Sequence, residues 1–171
     1  GGSKRIKNKN IKNFFGKPLI AYSIKLAIKS KLFDKVIVST DSKKIAKIAK
    51  KYGAVVPFLR PKKISNDYAV DQDVINHFLE YAKTSKIKVN ILCYLYATAP
   101  LLKSSTLHKC YKLLIKSNYP KVATVCKFPH PIERALIKNK KGEIIFKNKK
   151  FIKYRSQNFK EYYHDTGQCY W

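Results

Sequence analysis

Along residues 18–30 the run PLIAYSIKLAIKS sets Ile20, Ile24, Ala27 and Ile28 at the spacing of one helical face, with Pro18 suited to the first turn. KVIVST, residues 35–40, then reads as a short buried strand. Over 42–52 a second helix is predicted: Ser42 is available as N-cap, Ile45, Ile48 and Ala49 repeat at helical spacing, and Gly53 supplies a stop. Residues 54–58 read as another strand, and 69–83 as a helix turning Val70, Val74, Phe78 and Leu79 inward. VNILCYLY, 89–96, is a nearly continuous apolar run, the pattern of a strand buried on both faces. A helix over 104–116 and a strand over 122–128 follow Pro100.

Strand and helix in alternation predict an α/β fold, a mostly parallel sheet with helices on both faces. The last third breaks the rhythm, because KNKKGEIIF places a polar cluster around Gly142 between apolar runs, as a small β-hairpin excursion within 135–151 would. There is no internal repeat and no long linker, and 171 residues suit a single domain spanning 1–171.

Charge complicates this picture. Lys and Arg number 37 against 10 Asp and Glu, a net charge of +27, which raises nucleic-acid binding as a hypothesis. The lysines are spread, however, over a predicted helix face (Lys43, Lys44, Lys47, Lys50, Lys51) and a turn (Lys138, Lys140, Lys141), as on a solvated surface. No specific nucleic-acid partner follows, and a basic polyanion-binding module stands as the non-enzyme alternative. Apolar residues at 45% are ample for a packed interior. No apolar run approaches the roughly 20 residues of a membrane span and nothing resembles a secretory signal, so a soluble, cytoplasmic protein without a membrane partner is expected. Cys93, Cys110, Cys126 and Cys169 are scattered without a CxxC pair, which favours reduced, mostly buried thiols over zinc or a disulfide scaffold.

The chemistry concentrates at the two ends. GGSKRIKNKN joins glycines, a hydroxyl and Lys4, Arg5, Lys7 and Lys9 in one short segment: glycine backbones approach phosphate closely and the lysines supply charge. It is neither a Walker A loop nor a GxGxxG fingerprint, and a merely solvated basic loop is the plainer alternative. At the other end, RSQNFKEYYHDTGQCYW crowds Arg155, Gln157, His164, Asp165, Gln168 and Tyr170 among aromatics.

GGSKRIKNKN followed by PLIAYSI, VIVSTD and GAVVPFLRP strongly resembles the acylneuraminate cytidylyltransferase family over nearly the whole chain. The resemblance implies a Rossmann-like nucleotide-diphospho-sugar transferase fold and transfer of CMP from CTP to a nonulosonic acid, with pyrophosphate released. It assigns Gly2, Ser3 and Lys4 to the phosphates, Lys9 and Asn10 to the α-phosphate and nucleoside with Lys9 as catalytic stabiliser, and Arg60 to the cytosine side. The plainer reading of Arg60 is a surface residue fixed beside Pro61. Asp41 either faces the nucleotide or N-caps the next helix.

LYATAP, residues 95–100, departs from the Gln-Pro-Thr-Ser-Pro motif of sialic acid synthetases, with Tyr96 in place of glutamine; Thr98 is a hydroxyl contact or simply part of a turn. The tail resembles the branch of the family acting on pseudaminic acid. That assigns Tyr96, Arg155, Gln157, His164, Asp165 and Gln168 to the sugar, with Arg155 facing its carboxylate because a guanidinium fork matches two oxygens. His164 and Asp165 alternatively brace the loop, while His77, His108 and His130 lack ligand spacing and read as ordinary residues. N-acetylneuraminate and legionaminate are the alternative sugars.

The same resemblance implies a homodimer and a Mg²⁺ cofactor whose aspartate ligands, in an Asp-x-Asp-Thr segment, lie outside this sequence. It further implies a buried first strand ending in Pro-Ala-Arg ahead of Gly1. The expectation is therefore a chain truncated at both ends, lacking that strand and the C-terminal segment, with neighbouring sheet groups left unpaired.

Overall fold

The computed structural model describes residues 6–171, which fall into two compact units, 6–123 with 167–171, and 124–166. The strands are β1 (Asn13–Phe14), β2 (Lys17–Pro18), β3 (Tyr94–Leu95), β4 (Ala123–Lys127), β5 (Leu136–Lys138), β6 (Ile144–Phe146) and β7 (Tyr163–Tyr170). The α-helices are α1 (Leu19–Ser30), α2 (Lys43–Lys51), α3 (Asp71–Thr84) and α4 (Ser104–Lys116). All four lie within two residues of the boundaries predicted from periodicity.

The first unit opens on a single helical turn, Lys9–Ile11, and the hairpin β1–β2, which the apolar pattern does not announce. Phe15 (φ 43°) and Gly16 (φ 80°) make its tight turn, where positive φ matches the twist of the flanking strands. The Tyr22 hydroxyl ties the hairpin down by donating to the Phe14 and Phe15 carbonyls at 2.7 and 2.9 Å. α1 buries Ile20, Ala21, Ser23, Ile24 and Ala27. α2 is capped as predicted: the Ser42 Oγ accepts from the Ile45 N–H at 3.3 Å, and Gly53, at φ 94°, ends it. Val70 precedes α3 and has no capping side chain, so the Asp73 carboxylate reaches back to accept from the Val70 N–H at 3.0 Å. Val70 and Leu79 are exposed rather than inward-facing.

Two apolar clusters hold this unit. Ile20, Ile24, Ile45, Ala49 and Ala54 pack with Val36, Val38 and Val56; Leu102, Leu107, Cys110, Cys169 and Trp171 pack with Leu26, Phe33 and Leu95. Phe33 stacks on Trp171 at 5.2 Å between centroids.

The fold is α/β, but its hydrogen-bonded sheet differs from the expected parallel one. The three-stranded sheet has the order β3–β7–β4; β7 runs antiparallel to β3, and Val122 and Trp171 exchange both backbone bonds, an antiparallel signature. Among the described residues, parallel pairing occurs at the bridges Ile37–Val55 and Thr40–Leu59. There Val38 N–H donates to Val55 at 2.9 Å, Val55 N–H to Val36 at 2.8 Å, and Arg60 N–H to Thr40 at 2.9 Å. The reason is geometric. Successive residues of an extended chain aim their backbone groups to opposite sides, so Ile37 and Ser39 face away from 54–60, while Cys93 and Leu95 face away from β7. Both segments line one cavity, and among the described residues they do not pair directly with each other. For the same reason 89–96 is half-buried, with Ile91 exposed, instead of buried on both faces.

The second unit holds the expected hairpin: β5 and β6 pair antiparallel, with Gly142 at φ 88° in the turn. Phe151, Tyr154 and Phe159 form an aromatic trio with centroids 5.5–6.1 Å apart. Thr166 Oγ1 donates to Thr124 Oγ1 at 2.8 Å, and Lys127 pairs with Glu161, which also accepts from the Tyr163 hydroxyl at 2.9 Å.

Candidate active site

In the first unit a cavity of about 880 Å³ is walled by the two extended segments 35–40 and 87–98, by α1 and by one side of α3. Lys9, Asn10, Arg60, Tyr96 and Thr98 all line it. Five residues chosen from separate motifs therefore converge on one space. Ile11 anchors the Lys9 turn by packing on the cluster around Ile20 and Ile45. Ser23, buried on α1, donates to the Tyr96 carbonyl at 2.9 Å and fixes the end of β3 where Tyr96 and Thr98 enter the wall.

Arg60 is held from both ends. Its backbone is bonded to Thr40, and its Nε donates at 3.0 Å to Ser65 Oγ, which in turn donates to the Pro61 carbonyl at 2.9 Å. The terminal guanidinium nitrogens therefore carry the donors left for a ligand. This places Arg60 on the wall of the cavity rather than on a bare surface. Asp41, by contrast, is not the cap of α2, a role Ser42 takes. Ser39 Oγ and Trp171 Nε1, atoms of two further wall residues, are buried with no hydrogen-bond partner among the described residues, polar sites that a bound molecule would satisfy.

Tyr96 has a partner that sequence reasoning missed. Its hydroxyl donates to Asp71 Oδ2, at the first residue of α3, while the Tyr94 hydroxyl donates to the other oxygen, Oδ1, at 2.8 Å. The two rings meet edge to face at 5.2 Å, and Tyr170 stands 6.1 Å from Tyr96. Burial first, then the Asp71 carboxylate, raise both phenols above the ordinary tyrosine range, so both stay protonated. The available signal was the i, i+2 spacing of Tyr94 and Tyr96, which puts two phenols on one face of a strand.

The sugar candidates are divided. Gln168 belongs to the first unit, where its carbonyl accepts from the Tyr96 N–H at 3.0 Å. Arg155, Gln157, His164 and Asp165 belong to the second unit, all exposed. There His164 Nδ1 lies 3.0 Å from the Asp165 carbonyl oxygen and its ring packs against Phe128 at 4.9 Å. Gly2, Ser3 and Lys4 lie outside the described residues.

The remaining candidates are structural. His108 Nδ1 contacts the Ser104 carbonyl of its own helix at 2.8 Å, and His77 packs edge-on against Phe58. Cys110 and Cys169 are buried and Cys93 is half-buried; hydrogen bonding to Cys169 and then burial push the Cys93 thiol far up, away from nucleophilic use. Cys126 is exposed, an exception to the expected burial. Among the described residues no group of three or more His, Cys, Asp or Glu side chains is arranged to hold a metal ion, so these residues do not make a Mg²⁺ site by themselves. Nor is any described helix long and apolar enough to cross a membrane.

The fold is shared with a solved CMP:2-keto-3-deoxy-manno-octonic acid synthetase complexed with CTP, which superposes with a TM-score of 0.67 at 17% identity, over 99% of this chain and 69% of that one. The family described as Cytidylyltransferase matches residues 1–170, and the chain belongs to it. Pseudaminic acid cytidylyltransferase of Campylobacter jejuni subsp. jejuni serotype O:2 is 41% identical over 99% of this chain and 73% of its own length. CMP-N,N'-diacetyllegionaminic acid synthase of Legionella pneumophila is 36% identical over 66% of this chain and 48% of its own.

Proposed function

We propose that the protein transfers CMP from CTP to the anomeric hydroxyl of pseudaminic acid and releases pyrophosphate. The observation that carries the nucleotide half is the convergence of Lys9, Asn10, Arg60 and Thr98 on one cavity in a cytidylyltransferase fold. The sugar half rests on 41% identity to an enzyme named for pseudaminic acid, against a match to the legionaminic acid synthase that covers only two thirds of the chain.

In the step itself, the sugar oxygen forms a bond to the α-phosphorus, the bond from that phosphorus to the bridging β-phosphate oxygen breaks, and the hydroxyl proton leaves. Negative charge builds on the phosphate oxygens, and positioned cations lower the barrier by meeting it. Lys9 has that role here, beside Asn10 at the nucleoside. Arg60, braced by Ser65, binds the acceptor edge of the cytosine. Tyr96 and Thr98 close the wall between nucleotide and sugar, and Arg155 with Gln157, His164, Asp165 and Gln168 take the sugar and its carboxylate. Mg²⁺, of the divalent class that cytidylyltransferases generally use, would when bound supply further neutralisation of the triphosphate, on ligands that the described residues do not provide by themselves. A homodimer and a mostly parallel, Rossmann-like sheet belong to the same reading.

The test is pyrophosphate release with CTP and Mg²⁺, offering pseudaminic, N-acetylneuraminic and legionaminic acids in parallel. Release that depends on pseudaminic acid is expected. A preference for either other acid overturns the sugar assignment and leaves the nucleotide site standing; release with none overturns both.

A further inference from the structure

A phenol hydroxyl has one proton to give and lone pairs that accept. Tyr94 and Tyr96 both line the cavity, and both spend that one proton on Asp71. What the pair presents to any molecule in the cavity is therefore lone pairs only, backed by a carboxylate. Arg60, which lines the same cavity, is the reverse: a guanidinium that only donates. One cavity wall thus carries both an acceptor-only patch and a donor-only group.

Of the pyrimidine bases, cytosine matches that pattern. Its O2 and ring N3 accept, as Arg60 requires, and its exocyclic amino group donates, as the tyrosine patch requires. Uracil presents N3–H to the guanidinium and O4 to the tyrosine lone pairs, a mismatch at both. We infer that Asp71 sets the choice of CTP over UTP, acting as a positioning residue that fixes the Tyr94 and Tyr96 protons and leaves their oxygens to receive the amino group of the base. The inference rests on the nucleotide half of the proposed function and extends it to a residue with no place in the motif-based assignment.

Asp71 exerts this control without touching the base. Removing its carboxylate frees both phenol protons to rotate toward the cavity, where they donate equally well to uracil O4. A site built around a particular hydrogen bond discriminates strongly against the analogue that lacks it, because its own polar group is then left unpaired.

The experiment is calorimetric binding of CTP, UTP and a CTP analogue with hydrogen in place of the exocyclic amino group, to the unaltered protein and to Asp71→Ala and Asp71→Asn. The unaltered protein is expected to bind CTP at least about tenfold more tightly than either competitor. In folded Asp71→Ala the CTP-to-UTP ratio is expected to fall by at least about tenfold, with UTP binding gained as well as CTP binding lost; a residue that merely supported the fold would weaken both nucleotides together. A ratio unchanged in the variants overturns the inference. So does equal binding of CTP and the amino-less analogue by the unaltered protein, a result that needs no variant to fold. Failure of the unaltered protein to bind CTP at all overturns the inference together with the proposed nucleotide site, whereas tight CTP binding without discrimination overturns the inference alone.

Discussion

Replacing Arg60 by lysine keeps the positive charge and removes the fork. In the structure the Nε–H is committed to Ser65 Oγ at 3.0 Å, which leaves the two terminal nitrogens aimed for planar recognition. A lysine ammonium loses the Ser65 brace and replaces a fixed pair of donors with a single flexible point charge. A hydrogen bond involving a charged group contributes about 1.5–3 kcal/mol. At about 1.4 kcal/mol per tenfold, losing one such bond to the base lowers kcat/KM for CTP by roughly 10- to 100-fold. Ser65→Ala leaves the fork and removes only its brace, a loss of about 0.5–1.5 kcal/mol and thus roughly two- to tenfold. Both variants are read by steady-state pyrophosphate release with CTP varied and sugar saturating. An Arg60→Lys enzyme within about twofold of the unaltered one would refute the reasoning, because charge alone would then suffice.

Lys9→Met removes the cation assigned to the α-phosphate, and kcat is expected to fall by roughly 10²–10³ with less effect on KM, as for other groups that act on transition-state charge; Lys9→Arg should restore part of it. Leu107→Ala empties a fully buried position in the cluster around Trp171 and is expected to cost about 2–5 kcal/mol, seen as a lower urea midpoint at constant slope. The Lys127–Glu161 pair gives a pH dependence whose sign is fixed. Hydrogen bonding to Lys127 lowers the Glu161 pKa below 4.5, so its contribution to stability is full above 4.5 and is lost as pH falls through the depressed value. Lys127→Ala should move the Glu161 midpoint back up toward 4.5 in a carboxyl NMR titration; an unmoved midpoint counts against the pair.

Much of the fold could be read from spacing alone, because helices report their own periodicity. Ile45, Ile48 and Ala49 with Ser42 and Gly53 specify α2, cap and stop included, without reference to the rest of the chain. Strand partners are not encoded locally. VNILCYLY announces an extended apolar segment but not which edge it bonds, and the antiparallel pairing of β3 with β7 joins Tyr94 to Tyr170, a partner far along the sequence. β7 itself was hidden because YHDTGQCY alternates too weakly, its polar residues reading as a loop rich in chemistry.

The site divides in the same way. Arg60, Lys9, Asn10, Tyr96 and Thr98 were found from motif resemblance, and all five line one cavity. Asp71 was not, because an aspartate in the first turn of a helix is already accounted for by the helix dipole, and only the fold brings it to two tyrosines more than twenty residues away. Composition was the weakest guide. The five lysines of α2 that contribute to the net charge of +27 are all exposed around a buried Ile45, Ala46 and Ala49, a solvated face as the spacing implied.

The central claim, cytidylyl transfer to a sugar, is tested most directly by following the α-phosphorus. CTP radiolabelled at that atom is incubated with the protein, Mg²⁺ and pseudaminic acid, and the products are separated. The account predicts label in a CMP-sugar that appears in step with unlabelled pyrophosphate and requires the sugar. Label that stays in CTP, or that appears only as free CMP whether or not the sugar is present, would contradict it.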